Sequence, residues 1–537
     1  MIARKSALII GTQFFVRFLG WIGLVVLTKL WGSFAPEAMG IIGFAMSFLA
    51  LFNILADLGF NSAHVKRVSE GKDLGTCIGT YATIKLILIG LMVTTVFTAI
   101  FIMRNVFHQA FYDATTESVV IVFVVYYIFL NLQQIAIYTF ESKREIAKRQ
   151  ITTIFESIIK VPLEILVALA GVSIVGVASI APAVSWPSFL QPLQQFLATH
   201  ILGSFAMTYV FAMITTFFVG MWFLRGYPLK KPSIGSFKSY FIFALPIMLF
   251  SVISVISTNI DKIMIGYFWT STEVGYYFTV QQVLQIIFVI SGAIGIVLFP
   301  TLSEHHSSKN FEKIQRITYL AERYISMVMV PITIVIIIFV KPVINIMLSS
   351  AFFPATSVLV TLIIYAFIAS LTTPYYPLIS GINRPGIGAK IGLVICVTNI
   401  ILNYLFIPDK GFLSSVGING PTGAAVATVI SSLVGFFALK IMAKKLAGIR
   451  LLQSHTPRHI VAGLIMGLVL YSIAFFTPLF PTIRWYHLLT FAGFGLAIYL
   501  AVLYVLQEFK KQDLIFFLNM LHPKEMLDYV KSELKDK

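Results

Sequence analysis

Long apolar runs alternate with short polar segments along almost the whole chain. Each run has about 20 mostly apolar residues, the length that an α-helix needs to cross the hydrocarbon core of a bilayer. The pattern therefore predicts an all-α polytopic membrane protein with about fourteen transmembrane helices. The predicted spans cover residues 6–31, 38–60, 77–103, 117–140, 150–171, 200–224, 238–268, 273–299, 318–348, 353–380, 386–408, 420–446, 459–479 and 485–507.

Two of the turns between spans share a sequence pattern. One turn ends in Gly40 and the other in Gly275, each between two apolar runs. When these glycines are aligned, the helices on both sides stay in register, as in the duplicated units from which many secondary transporters are built. We expect two pseudo-symmetric six-helix lobes followed by a C-terminal helix pair. The predicted parts are a first lobe (1–224), a cytoplasmic linker (225–237), a second lobe (238–447), helices 13 and 14 (448–507) and a cytoplasmic amphipathic tail (508–537).

Composition and charge agree with this topology. Of the 537 residues, 58% are hydrophobic and 11% are charged, whereas soluble domains carry about 25% charged residues. The net charge of +17 does not indicate nucleic-acid binding, because the basic residues lie in short, separated loops. When alternate loops are assigned to opposite sides, 30 of the 39 lysines and arginines fall on one side and 3 on the other. Because basic loops stay in the cytoplasm, we expect a multi-pass protein of the cytoplasmic membrane with both termini cytoplasmic.

Several short motifs are shared with a known family. Arg17 lies in the first helix, and the motifs are DLGF (57–60), NIDK (259–262), EVGYY (273–277) and FPTLS (299–303). In this combination the chain resembles the polysaccharide-export branch of the multidrug/oligosaccharidyl-lipid/polysaccharide (MOP) flippase superfamily. The resemblance extends from residue 1 to about residue 447.

The resemblance implies a flippase that moves a lipid-(pyro)phosphate-linked oligosaccharide between leaflets by alternating access, for cell-surface polysaccharide or glycan assembly. It implies a polyprenyl-linked oligosaccharide and membrane lipids as partners, with proton or sodium coupling and other glycan-assembly proteins as further candidates. Two other interpretations stay open: an ion-coupled antiporter for drugs or organic cations, and a membrane-embedded glycosyltransferase or scaffold. No P-loop, GxSxG, HExxH or Cys/His cluster occurs in the sequence, so we expect neither an enzyme nor a cofactor or metal site.

Eight ionisable residues lie well inside the predicted spans, six of them in the first lobe. A charge near the bilayer centre costs about 2.5–3.5 kcal/mol or more, so these side chains should face water or one another. A guanidinium suits a phosphate because it donates two parallel hydrogen bonds. The basic members are expected to bind the substrate head group: Arg17, Lys85, Lys160 and Lys262. The acidic members are expected to couple an ion or to form charge pairs: Asp57, Glu156, Glu164 and Asp261.

Structural roles for the same charges stay open. Arg17 can instead pair with Asp57 as a structural link. On helix 5, the two glutamates and the lysine follow one another at i, i+4 and i+8 around Pro162, which also fits a self-neutralised charge ladder. Asp261 and Lys262 point about 100° apart on their helix, so we expect different partners for them, with Asp261 toward the cavity.

Two stripes of uncharged polar side chains are candidate sugar contacts. Amide and phenol groups match ligands that are rich in hydroxyl groups, but they also hold membrane helices together. The candidates are Asn131, Gln134 and Tyr138 on helix 4 and Tyr277, Gln281 and Gln285 on helix 8.

Overall fold

A computed structural model of the chain describes residues 2–106, 111, 114–175, 186–382, 384–449, 455–476, 483–510 and 513. Within these ranges the protein is helical and has no strand. Fourteen long helices match the fourteen predicted spans in order. They are α1 (Ile2–Trp31), α2 (Ala35–Asp57), α3 (Leu74–Asn105), α4 (Ala114–Ser142), α5 (Ile146–Val175), α6 (Ile201–Leu224), α7 (Ile234–Phe268), α8 (Ser271–Ser307), α9 (Phe311–Ile338), α10 (Thr356–Thr372), α11 (Pro385–Phe406), α12 (Gly420–Ala447), α13 (His455–Phe476) and α14 (Trp485–Val505).

Shorter helices connect or extend some of the long ones. The break after α2 has a local cause, because Leu58 (φ 44°) and Gly59 (φ 84°) both adopt left-handed backbone angles that end the helix. A side chain at Gly59 would also meet the carbonyl oxygen of Ala244 at 2.7 Å. The short α-helices are Phe60–Ser69, Gln191–Thr199, Val340–Met347 and Tyr375–Gly381, and the 3₁₀ turns are Gly32–Phe34, Ser188–Leu190, Ser350–Ala355 and Ser414–Val416.

Eleven stretches of the described chain are long and apolar enough to cross a membrane. The first of them, Gly11–Ser69, runs through both α1 and α2. Helices α5 and α8 are not among the eleven but are as long as their neighbours, and α5 carries Glu156, Lys160 and Glu164 near its middle. The fold is therefore that of an all-α polytopic membrane protein.

The lobes meet at the two glycines that the sequence alignment pairs. Helices α2 and α8 cross so closely that a Cβ atom added to Gly40 or Gly275 would collide with the backbone of the other helix. The collisions are reciprocal: Gly40 faces the carbonyl oxygen of Ser271, four residues before Gly275, and Gly275 faces that of Pro36, four residues before Gly40. Reciprocal contacts between equivalent residues are produced by a two-fold axis. The lobes are thus related by a pseudo-two-fold axis at this crossing.

The segment 225–233 joins the lobes at one end of the bundle, which we call the linker side; the opposite end is the far side. Lys230 of this segment donates to the Asp73 carboxylate at 2.8 Å. Helix α7 starts at the same end and packs on the first lobe, where the His64 ring lies 3.0 Å from the Tyr240 hydroxyl. Since α2 and α8 both begin at the far side, their glycine crossing holds the two lobes together near that end.

The last two helices extend the second lobe. A Cβ atom at Gly463 of α13 would lie 2.5 Å from a Val330 methyl group of α9, so these helices pack closely. The residues after α14 bind the same helix, because Arg323 of α9 donates to the Glu508 carboxylate at 2.8 Å. Most of the tail predicted as an amphipathic helix, residues 508–537, lies outside the described residues.

Candidate functional site

A cavity of about 180 Å³, which we call the central cavity or the Arg17 cavity, lies between the lobes. Helices α1, α2, α5 and α6 form its wall in the first lobe, and α8 forms its wall in the second. Met39 and Phe278, next to the glycine crossing, line the cavity as well. Three of the eight predicted charges and one predicted sugar contact come together here. The charged and hydrogen-bonding side chains of the lining are Arg17, Trp21, Ser157, Lys160, Glu164, Tyr209, Gln282 and Gln285.

Arg17 bridges the two lobes across this cavity. Its Nη1 atom donates to the side-chain oxygen of Gln285 at 2.9 Å and to the main-chain oxygen of the same residue at 3.1 Å. The alternative pairing with Asp57 is not seen, since Asp57 accepts instead from the backbone N–H of Asn61 at 3.3 Å. Both partners of Arg17 are neutral, so an anion that entered the cavity would meet a guanidinium without a bound carboxylate.

Two members of the charged triplet of α5, Lys160 and Glu164, line the same cavity, and Glu156 does not. The Lys160 amino group lies 3.8 Å from the Glu164 carboxylate and 4.5 Å from the centre of the Tyr209 ring. Glu156 accepts from the Tyr126 hydroxyl at 3.4 Å. Lys160 thus pairs with Glu164, while Glu156 contacts a neutral phenol, and the triplet is not neutral by itself. Its charge balances only when Arg17 on the facing helix is included.

Lys85 lies in a different place from Arg17. It is fully buried inside the first lobe, where its amino group donates to the Ala56 carbonyl at 2.8 Å, to Gln134 at 2.7 Å and to Asn131 at 3.2 Å. Tyr138 packs near this cluster. The structure therefore does not bring Lys85 or the three helix 4 residues into the Arg17 cavity, and it satisfies the lysine with neutral oxygens.

Asp261 is buried inside the second lobe instead of facing the central cavity. Its Oδ2 atom accepts from the Tyr277 hydroxyl at 2.6 Å and the Thr428 hydroxyl at 3.1 Å, and Oδ1 accepts from the Asn403 amide at 2.6 Å. The side-chain oxygen of Asn403 is buried and has no hydrogen-bond partner among the described residues. A carboxylate with neutral partners beside an unused oxygen is an arrangement that a small cation would complete.

Lys262 and Asp261 have different partners, as their spacing predicts. The Lys262 amino group donates to the Thr258 carbonyl at 2.7 Å and to the Gln281 side chain at 3.0 Å. Tyr277, predicted as a sugar contact, instead donates a hydrogen bond to Asp261. Of the helix 8 stripe, Gln285 is the member that lines the central cavity.

Sequence reasoning missed the partners of Asp261. Asn399 and Asn403 are four residues apart in an apolar helix. This pair of amides could have indicated a polar site inside the second lobe. It also missed a buried ion pair in the second lobe, in which Lys440 donates to Glu322 at 2.7 Å. Both residues lie near the linker side, where charge counting assigns Lys440 to a loop. The two lobes therefore differ less in their number of buried charges than the sequence suggests.

Among the described residues, no group of three or more histidine, cysteine, aspartate or glutamate side chains could hold a metal ion. The oxygens around Asp261 come from amide and hydroxyl groups. Such a set suits a weakly held monovalent cation better than a structural transition metal, which prefers nitrogen and sulfur ligands.

Comparison with known sequences places the chain among glycan-export proteins. Two family profiles, both described as polysaccharide biosynthesis protein, match residues 2–186 and 195–357. The chain is 22% identical over 473 residues to the probable low-salt glycan biosynthesis flippase Agl15 of Haloferax volcanii, covering 88% of this chain and 89% of that protein. It is 24% identical over 223 residues to the probable flippase AglR of the same organism, covering 41% and 45%.

Solved structures share the fold. The lipid II flippase MurJ in an inward closed conformation superposes with a TM-score of 0.68 at 15% identity, covering 94% of this chain and 98% of that one. An inward-facing multidrug resistance MATE family transporter of the MOP superfamily gives 0.60 at 14% identity, covering 78% and 94%.

The two lobes, their pseudo-two-fold axis and the charged cavity between them define a polytopic protein with the MOP fold. Within that class, the matching profiles are described as polysaccharide biosynthesis proteins, and two of the relatives are named as probable flippases. Together these matches support the polysaccharide-export branch of the MOP flippase superfamily as the family of this chain.

Proposed function

We propose that this protein is a flippase that translocates a lipid-(pyro)phosphate-linked oligosaccharide across the cytoplasmic membrane by alternating access. The observation that carries the proposal is Arg17, which reaches the cavity between the lobes and is held there by neutral Gln285. A guanidinium binds phosphate through parallel charge-assisted hydrogen bonds. Lys160, on the same cavity wall, adds a second positive charge.

The size of the cavity sets a condition on this mechanism. A volume of about 180 Å³ has room for a pyrophosphate group but not for an oligosaccharide. The lobes must therefore separate on the linker side to admit the sugar, while the lipid tail stays in the bilayer. Binding of the phosphate would transfer Arg17 from Gln285 to the substrate and so remove its two inter-lobe hydrogen bonds.

We also propose that transport is driven by a sodium ion or a proton that binds at Asp261. We call Asp261 and its hydrogen-bonded neighbours Tyr277, Asn399, Asn403 and Thr428 the Asp261 cluster. A buried carboxylate whose partners are all neutral costs free energy, and either cation would relieve that cost. The unpaired oxygen of Asn403 favours a bound ion, because it offers a further ligand. Glu156 and Glu164 on α5 are the second candidate pair, but Lys160 already offsets one of their charges.

The cavity disfavours the two other interpretations. A pump for organic cations needs an acidic and aromatic cavity, whereas Arg17 and Lys160 place two positive charges here. A glycosyltransferase needs a catalytic carboxylate near its sugar acceptor, and the cavity carboxylate Glu164 is occupied by Lys160. We therefore propose transport without catalysis, and we assign the basic linker side to the cytoplasm, with any glycan-assembly partners on that face.

The test is export of a fluorescent lipid-linked oligosaccharide in reconstituted vesicles, scored for both leaflet movement and sugar transfer. We expect Arg17→Ala to lower the export rate at least about tenfold, since a charged hydrogen bond contributes about 1.5–3 kcal/mol. Arg104→Ala is the matched control, because the Arg104 side chain is 72% exposed and distant from the cavity. Export that is equal in both variants would remove Arg17 from the substrate site, and sugar transfer would indicate an enzyme.

A further inference from the structure

A second cavity lies inside the second lobe, next to the Asp261 cluster. It has a volume of about 230 Å³ and lies among α7, α10, α11 and α12. Two of its lining residues belong to the cluster: Thr428 donates to Asp261, and Asn399 accepts from Asn403. It shares no lining residue with the cavity of Arg17. The two cavities therefore have different walls.

The second cavity extends from Asp261 in one direction only. On α7 its lining residue is Ser257, one turn toward the linker side from Asp261. On α12 the lining continues from Thr428 through Ser432 to Leu439, again toward the linker side. Eleven residues of α-helix, the separation of Thr428 and Leu439, correspond to about 16 Å. The cavity thus begins at Thr428 and Asn399, next to Asp261, and leads toward the linker side as far as Leu439, which is buried.

On the far side of Asp261 the helices are in close contact. Gly423 of α12 lies so near the carbonyl oxygen of Phe406 that a Cβ atom there would collide with it. The Trp269 indole donates to the Ile407 carbonyl at 2.7 Å, and Ala424 is fully buried. These contacts pack α11 and α12 closely on the far side of Asp261.

The wall of the second cavity suits water and a small cation. Besides the Asn399 amide it carries seven hydroxyl groups, and a volume of about 230 Å³ has room for several water molecules, since each occupies about 30 Å³ in the liquid. Hydroxyl oxygens turned toward a passage replace part of the hydration shell of a cation that moves along it. The hydroxyl-bearing residues are Ser257, Tyr365, Thr372, Tyr376, Thr428, Ser431 and Ser432.

We propose that this cavity is the path by which the coupling cation passes between Asp261 and the linker side, separately from the substrate. The inference rests on the proposed ion coupling and deepens it. In the conformation described here, the cavity extends from the cation site toward the linker side as far as the buried Leu439, while α11 and α12 pack closely on the far side of the site. A flippase built in this way can release its cation to the cytoplasm while the central cavity still holds the lipid-linked head group.

Cysteine labelling tests the path directly. The chain has two cysteines, Cys77 and Cys396, which are replaced by serine and alanine to give a background that must retain export. Into this background we introduce either Ser432→Cys or Ala424→Cys. These positions lie on α12, four residues to either side of Thr428, which makes them a matched pair. A small, positively charged, membrane-impermeant thiol reagent is then added to right-side-out or inverted vesicles.

We expect Ser432→Cys to react from the linker side at least about tenfold faster than from the far side, and Ala424→Cys to react from neither. Sodium chloride, compared with potassium chloride, should slow the reaction at Ser432→Cys severalfold if sodium is the coupling ion, whereas acidification should slow it if the ion is a proton. Equal labelling of both variants, entry from the far side, or no labelling at Ser432→Cys from either side would overturn the proposal.

A second variant separates the path from the flippase function. Ser432→Leu fills the passage without touching the Arg17 cavity, and Val434→Leu, on a half-exposed surface of the same helix, is its control. We expect Ser432→Leu to keep the affinity for the lipid-linked oligosaccharide but to lose severalfold in cation-driven export. Loss of substrate binding in Ser432→Leu would contradict a cation path, and full export would show that the passage is not used. Failure of the flippase proposal itself would appear in wild-type vesicles as absent oligosaccharide movement.

Discussion

In the first lobe, Arg17, Lys160 and Glu164 reach the cavity between the lobes. In the second lobe, the charged side chains stay inside: Asp261 lies within its cluster of neutral partners, and Glu322 is paired with Lys440. To the central cavity the second lobe gives the uncharged Gln282 and Gln285. Two lobes with the same fold thus place their charges on different surfaces.

The difference shows how a duplicated fold can take on two tasks. A phosphate and a cation site in one compartment would neutralise each other, because opposite charges about 4 Å apart attract strongly where the dielectric constant is low. Keeping the guanidinium at the shared cavity and the carboxylate within the second lobe avoids that loss. Helices α7 and α8, which carry Asp261 and Gln285 respectively, connect the two proposed sites.

The largest effect is expected where the lobes touch. Gly275→Leu would force the α2 and α8 backbones apart, because even one added carbon collides with the Pro36 carbonyl. Overpacking costs about 1–3 kcal/mol and more when backbone must move, so we expect little folded protein and no export. Size-exclusion chromatography and the export assay measure both. Gly90→Leu is the control, since no atom lies within 4 Å of a Cβ atom there; normal export by Gly275→Leu would argue against this crossing as the lobe contact.

The next-largest effects should distinguish the roles of two lysines of the first lobe. Lys85→Met would leave the Asn131 side-chain oxygen without its donor and take one of two donors from the Gln134 oxygen, and an unsatisfied buried group costs about 1–3 kcal/mol. We therefore expect a lower unfolding temperature as its main result. Lys160→Met, at the cavity wall, should instead lower export more than stability. The measurements are thermal unfolding in detergent and vesicle export, and the opposite assignment of the two effects would transfer the head-group role to Lys85.

A smaller effect concerns the second lobe. A cation that binds only the folded protein stabilises it by about 2.7 kcal/mol at 100 times its Kd. The unfolding temperature of the wild type should therefore rise with sodium relative to potassium, or with acidification if a proton is bound. We expect Asp261→Asn to lose this response and Glu156→Gln to keep it. A response that is lost only in Glu156→Gln would move the cation site to the first lobe.

The smallest effect is expected at the linker. Asp73 accepts from Lys230, from the backbone N–H of Thr76 and from the Thr76 hydroxyl, and these hydrogen bonds lower the pKa of Asp73 from 3.8 to about 2. A carboxyl group with a lowered pKa in the folded state contributes stability above its unfolded pKa and loses it as the pH falls. Stability should therefore decline between about pH 4 and pH 2, and Asp73→Asn should reduce that slope slightly. An unchanged pH profile of unfolding would show that Asp73 does not hold the linker.

The arrangement of helices could be predicted from the sequence because hydrophobic length is a local property. The alignment of Gly40 with Gly275 predicted the duplication, and the structure confirms it by placing the two glycines in reciprocal contact. The site was harder to predict. A charge in an apolar run shows that the side chain avoids lipid, but not whether it faces a cavity, as Arg17 does, or a buried cluster, as Lys85 does.

That distinction depends on contacts between helices far apart in the chain. Arg17 and Gln285 are 268 residues apart, and Asp261 and Thr428 are 167 residues apart. A helical repeat relates residues only within a few turns. The helical repeat therefore predicted that Tyr277, Gln281 and Gln285 form one sugar-binding stripe. In the structure the three side chains form hydrogen bonds with Asp261, Lys262 and Arg17, respectively.

The division between an anion site on the first lobe and a cation site in the second is tested most directly by one binding measurement. The affinity of purified protein for a lipid-linked pyrophosphate sugar is compared between Arg17→Ala and Asp261→Asn at saturating sodium and constant pH. We expect Arg17→Ala to bind at least about tenfold more weakly than wild type, on the strength of one charged hydrogen bond, and Asp261→Asn to bind within about twofold of it. Weaker binding in Asp261→Asn with unchanged binding in Arg17→Ala would contradict the division.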